Sequence, residues 1–223
     1  KQKKGLIGIN LGMNFDTDLN NAHLDYETGL DATYKYADYI VINISSPNTK
    51  GLRKLQENIF LKKLLASLKK KQKQLLAKYS FHRPIFIKIS PDINHEFLEE
   101  TLELIKTYEI EGVIATNTTI KKENILEKKY SNQQGGLSGA PLLLKSNQIL
   151  SQIKKYLPSE VILIGSGGIM SGIDASEKII KGADVIQLYS GLIFSGPDLV
   201  PECIKMIDNN LSSKIFNYQK IYD

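Results

Sequence analysis

Six times the chain presents a short run rich in valine and isoleucine, at residues 5–11, 39–46, 84–90, 112–117, 161–169 and 184–189. Segments at 25–36, 57–78, 96–108, 142–156, 171–181 and 197–209 follow these runs and carry apolar residues at three- and four-residue spacing, the period of a helix with one buried face. Strand and helix alternating on this scale give a parallel sheet, either open and doubly wound or closed as a (β/α)8 TIM barrel. Two features favour the barrel. Polar residues recur at the carboxyl ends of nearly all the runs, and the last two runs end in glycine or small hydroxyl residues, where barrels often bind phosphate. Closure needs eight strands. About six of eight βα units are visible, so the expectation is one α/β domain over residues 1–223, N-terminally incomplete, with two units lying ahead of Lys1.

Composition narrows the class. With 42% hydrophobic and 24% charged residues the chain is an ordinary globular mixture able to bury a core. Its longest apolar runs fall well short of the ~20 residues a membrane span needs. Cys203 is the single cysteine, which excludes an internal disulfide and reads as a buried, inert thiol. The net charge of +5 comes largely from lysines between positions 62 and 78, without interleaved aromatics. That pattern argues against nucleic acid and for a solvated helix face, with an anionic membrane surface the better of the remaining uses.

The chemistry gathers at strand ends. Residues 37–51, ADYIVINISSPNTKG, begin as a buried strand and turn polar at Asn43-Ile44-Ser45-Ser46. Pro47 lacks an N–H for the ladder and ends the strand, so Ser46, Asn48 and Thr49 are expected on a rim. In PIFIKISPD (84–92), alternation puts Lys88 on one face with Phe86 and Ser90, while Ile85, Ile87 and Ile89 point the other way. A lysine pointing into a barrel is costly unless an anion meets it; the competing reading is a lysine snorkelling from a strand end. Thr116, Asn117 and Thr118 close the next strand with short hydrogen-bonding side chains, a pattern that simple turn chemistry would also give. GGLSGAP (135–141) is a glycine-rich turn. VILIGSGGIMSG (161–172) fails as a dinucleotide fingerprint because Met170 stands where glycine is required. What remains is the tight Gly167-Gly168 loop and a helix opening at Ser171-Gly172, whose backbone N–H groups can hold a phosphate, with Ser190 of QLYSG gripping it from the other side. Asn10 closes the first run. His23, His82 and His95 lack ligand spacing and read as solvated, so no metal site is expected.

Taken together, GINLG, NISSPNT with GLR following, IKISPD, TNTT, GGLSG, GSGGI and QLYSG resemble, in order and spacing, about three-quarters of the catalytic barrel of the class 2, quinone-dependent dihydroorotate dehydrogenases. Class 1 relatives have cysteine where this chain has Ser46. The resemblance implies that Ser46 is the base removing a proton from C5 of dihydroorotate while hydride leaves C6 for the flavin. It implies that Asn43, Asn48, Asn117 and Thr118 hold the pyrimidine, and that Asn10, Asn43, Lys88, Thr116, Gly139, Gly167, Gly168, Tyr189 and Ser190 hold FMN. Lys88 would then meet the flavin edge that gains negative charge on reduction. Serine is a weak base, and Thr49 is placed to hold a relaying water. Further implied are a membrane quinone as electron acceptor, peripheral membrane contact through a segment outside these residues, a monomer, and a place on the cytoplasmic face of a bacterial inner membrane, or alternatively the mitochondrial inner membrane. The rival readings are a phosphate-binding aldolase using Lys88 as a Schiff base, and a non-catalytic barrel fragment.

Overall fold

The computed structural model describes residues 5–122, 125 and 132–222, with the backbone alone for 211–222. Six parallel strands, β1 (Gly8–Leu11), β2 (Tyr39–Asn43), β3 (Ile85–Ile89), β4 (Gly112–Ala115), β5 (Ile162–Ser166) and β6 (Val185–Gln187), stand side by side in chain order in one curled sheet. The helices between them are α1 (Ala22–Thr33), α2 (Asn58–Tyr79), α3 (His95–Thr107), α4 (Leu143–Tyr156) and α5 (Gly172–Ile180). Two more follow β6: the short α6 (Ser190–Ser195), which the periodicity does not predict, and α7 (Leu199–Tyr222). Every expected strand is present. β2 to β6 end earlier than their apolar runs because polar terminal residues such as Ser46 and Asn117 leave the ladder and turn to the mouth, whereas β1 runs to Leu11 as expected.

Alternation divides the strand side chains between two cores. Ile40, Ile42, Ile85, Ile87, Ile89, Val113 and Leu163 face outward into the layer packed under the helices. Val41, Phe86, Ile114 and Ile164 face inward as a smaller cluster, with the Tyr39 ring 5.2 Å from that of Phe86. The register aligns Asn43 with Lys88, Lys88 with Ile114, and Ile114 with Ile164, so Asn43 and Lys88 share the inward row. The α2 lysines lie outside the buried stripe of Leu61, Leu64, Leu65, Leu68 and Leu75. At the opposite end of the sheet Glu111 joins His82 at 2.9 Å, Lys69 and Gln72, and it accepts the Ile85 N–H, closing the foot of β3. His82 is exposed, as expected, and hydrogen-bonded to Glu111, and His23 has a buried Nδ1 without a partner. Cys203 is buried, as expected.

Candidate active site

At the carboxyl end of the sheet a cavity of about 300 Å³ opens between β3 and α6. Lys88, Thr116, Asn117, Thr118, Gly139, Gly167, Gly168, Tyr189 and Ser190 all line it. Residues separated by as much as a hundred positions thus meet because parallel strands deliver their carboxyl ends to one rim. Lys88 is half-buried, and burial lowers its pKa. Its ammonium reaches Gln187 Oε1 at 3.4 Å, a neutral acceptor, and no carboxylate among the described residues forms an ion pair with it, so it faces the cavity as a cation.

Beside the cavity, a hydrogen-bonded group joins β2 to β4. Asn43 Oδ1 accepts from Ser45 N at 3.2 Å, Ser45 Oγ at 3.1 Å and Asn117 Nδ2 at 3.1 Å. These bonds occupy its oxygen and leave its NH2 as the group to offer a ligand. Asn117 also donates to Ser45 Oγ at 3.1 Å, and its Oδ1 takes the Thr118 N–H at 2.8 Å. Ser46 lies one residue further along, half-buried, its Oγ accepting the Asn48 N–H at 3.2 Å. A donated N–H favours the deprotonated hydroxyl, the direction a base requires. Residues 135–139 fold over this group. Thr119 and Leu137 exchange backbone hydrogen bonds at 3.1 and 2.7 Å, and a Cβ on Gly136 would meet Thr118 Oγ1 at 1.9 Å and Pro47 Cγ at 2.9 Å. Only glycine lets that loop approach so closely.

Arg53 braces the rim from below. Its guanidinium donates to Ser45 O at 3.0 Å, Asp92 Oδ2 at 2.7 Å and Thr118 O at 2.9 Å, tying together the segments after β2, β3 and β4. Asp92 also accepts from Thr119 Oγ1, Ile120 N and Lys145 Nζ. Burial alone would raise the Asp92 pKa, but bonds from Lys145, Thr119, Ile120 and Arg53 outweigh it and hold the group at about 2. A carboxyl depressed in the folded state stabilises the fold above its unfolded pKa and ceases to as pH falls through the folded value. The window is therefore pH 4 down to about 2, where about 1–2 kcal/mol should be lost, solvent screening reducing the full effect for a partly exposed carboxyl. Denaturant unfolding across that range should show the loss, and Asp92→Asn should flatten this part of the profile.

Some expectations fare differently. Asn10 lies on the inward row of β1 in register with Val41, but it is exposed and does not line the cavity. Ser46 and Asn48 border the Asn43–Asn117 group rather than the cavity wall. The opening of α5 is not an anion site. Gly172 N already donates to Glu202 Oε1 at 2.6 Å, Met170 N to Asp174 Oδ2 at 3.0 Å, and Asp174 N to the Ser171 Oγ cap. Two carboxylates at that helix end would repel a phosphate. The glycine loop itself is left for it, opposite Ser138 and Ser190, whose hydroxyls bond at 2.9 Å. Ser45, Arg53, Ser138 and Gln187 are site residues that sequence reasoning passed over. The Arg53–Asp92 pair had one legible signal, an aspartate three residues past the end of β3 and an arginine ten past the end of β2.

Six parallel strands whose polar ends converge on one glycine-edged cavity place the chain among TIM-barrel proteins, here as part of a barrel. Within that class it belongs to the dihydroorotate dehydrogenase family, whose model, described as dihydroorotate dehydrogenase, matches residues 1–211. A Polynucleobacter asymbioticus protein named dihydroorotate dehydrogenase (quinone) is 45% identical over 206 residues, 92% of this chain and 60% of its own length. A protein of the same name from Acinetobacter baylyi is 45% identical over 204 residues, 92% of this chain and 61% of its own. The crystal structure of a ligand-free DHODH from Eimeria tenella aligns with a TM-score of 0.88 at 32% identity, covering 96% of this chain and 62% of that one. The chain thus spans about 60% of the length of the curated relatives it matches. These matches do not favour the aldolase reading of Lys88.

Proposed function

We propose that this chain carries the main part of the active site of an FMN-dependent, quinone-linked dihydroorotate dehydrogenase, an oxidoreductase that converts (S)-dihydroorotate to orotate in pyrimidine biosynthesis. The observation that carries the reading is Lys88: a desolvated ammonium facing a cavity whose far edge is Gly139, Gly167, Gly168 and Ser190. That donor set fits a flavin nucleotide, with a cation toward the ring and glycine amides and a hydroxyl toward the phosphate. Lys88, Thr116, Gly139, Gly167, Gly168, Tyr189 and Ser190 would hold it, and Asn10 would contribute only if its exposed side chain turns inward.

FMN, when bound, supplies the hydride acceptor. The rest falls to side chains of this chain. Ser46 takes the C5 proton, helped by the Asn48 N–H on its oxygen, as the C6 hydride departs and the C5=C6 bond forms. Asn43, with its oxygen engaged by Ser45 and Asn117, offers its NH2 to the pyrimidine. Asn48, Asn117 and Thr118 complete the pyrimidine's contacts, and the loop at 135–139 keeps water from them. Arg53 fixes the rim on which these groups stand. Residues 1–223 act as one FMN-binding domain, as a monomer, with a membrane quinone as the final acceptor. Contact with the cytoplasmic face of a bacterial inner membrane would be peripheral and made by residues outside this chain; no helix among the described residues is long and apolar enough to cross a membrane.

Anaerobic addition of dihydroorotate to the full-length protein should bleach its flavin absorbance, and a quinone should restore it. A colourless protein, or a yellow one unmoved by dihydroorotate, overturns the proposal.

A further inference from the structure

Lys178, on α5, is fully buried, yet no carboxylate among the described residues forms an ion pair with it. Burial pushes its pKa down to about 8 against the weaker pull of Glu177 and Asp174. Its side chain runs behind β5, with Cδ 3.1 Å from where a Cβ on Gly165 would lie, and its ammonium donates to Ser146 Oγ on α4. Ser146 in turn lies 2.9 Å from the carbonyl oxygens of both Leu143 and Gly167. A serine hydroxyl has one proton and two lone pairs, so a lysine N–H arriving at the oxygen commits the proton to those carbonyls.

The consequence reaches the cavity. In a trans peptide the C=O and the following N–H point in opposite directions. With the Gly167 carbonyl drawn back toward Ser146, the N–H of Gly168 is turned the other way, on a loop that lines the cavity. Gly167 and Gly168 hold φ of +101° and +83°, and a Cβ on Gly168 would meet Leu143 Cα at 2.3 Å, so the loop is pressed against the start of α4 that carries Ser146. We propose that Lys178 is a positioning residue: acting through Ser146, it fixes the Gly167–Gly168 peptide so that the Gly168 amide is presented to the phosphate of the bound flavin nucleotide. The inference rests on the flavin reading above and adds what orients the phosphate loop. It also accounts for a lysine buried without an acid, because the nearby cation gains a dianion as compensation when the nucleotide binds.

The test compares FMN with riboflavin, which lacks only the phosphate, by fluorescence titration of the flavin-stripped, full-length protein. Lys178→Met and Ser146→Ala should each weaken FMN roughly ten- to a hundred-fold, the worth of a hydrogen bond to a charged group, and leave riboflavin affinity unchanged. Equal loss for both ligands, or no loss for FMN, overturns the role of Lys178 while leaving the flavin site standing. If the unmodified protein binds neither ligand, the flavin reading fails, and this inference with it. Should Lys178→Met fail to fold, Ser146→Ala decides by the same comparison, because it keeps the lysine and removes the relay.

Discussion

Ser46→Ala should slow flavin reduction by dihydroorotate by about two to four orders of magnitude while the protein stays yellow. The two halves of that expectation come from different parts of the geometry. Ser46 is absent from the wall formed by Lys88, Thr116, Gly139, Gly167 and Gly168, so in the proposed site its hydroxyl has no part in holding the cofactor. It stands instead one residue past the Asn43–Ser45–Asn117 group, with the Asn48 N–H on its oxygen. On the proposed mechanism its removal takes away the proton acceptor and little else, since alanine fills a half-buried rim position without strain. Stopped-flow reduction, read beside the visible spectrum of the resting enzyme, checks both halves at once. A reduction rate within a few-fold of wild type would place the base elsewhere.

Lys88→Met should lower the reduction rate by about two to three orders of magnitude, the effect of withdrawing one fixed charge from a site where charge develops. Stability should not fall with it. The ammonium sits desolvated on the inward row of β3, with the Gln187 amide oxygen at 3.4 Å as its bonded partner, and a methionine of similar length relieves that burial cost. Thermal unfolding and stopped-flow reduction together make the check: unchanged or raised Tm with slow reduction is expected. Because desolvation lowers the Lys88 pKa, the wild-type rate should decline at a lower pH than a solvated lysine would give, and the variant should lack that alkaline limb.

The fold was legible because its signal is periodic. Runs such as YIVI and IFIKI alternate between two buried faces, and the inward direction of Lys88 follows from the same two-residue period that sends Ile85, Ile87 and Ile89 to the helices. Strand ends were less legible, because a polar residue after an apolar run reads equally as the last rung or the first turn. The candidate site divides in the same way. Residues that line a strand end, such as Thr116, Asn117 and Gly167, stand out locally. Ser45 does not, since between Asn43 and Ser46 it resembles a spacer, and only the approach of Asn117 shows its use. Arg53 and Asp92 are 39 residues apart and Ser146 and Lys178 are 32 apart, each on a separate βα unit, so no spacing rule joins them. The opening of α5 misled for a related reason. A helix start after glycines suggests an anion site, but Glu202 from a later helix already occupies its amide.

For the proposed chemistry, side chains from separate strands must meet around one flavin. A crystal structure of the full-length protein with FMN and orotate tests this most directly. It should show the ring system against Lys88 and Thr116, the phosphate on Gly167–Gly168 opposite Ser190, and orotate between the flavin and Asn43, with the Ser46 hydroxyl facing C5. A flavin bound elsewhere, or an orotate out of reach of both Ser46 and Asn43, would contradict it.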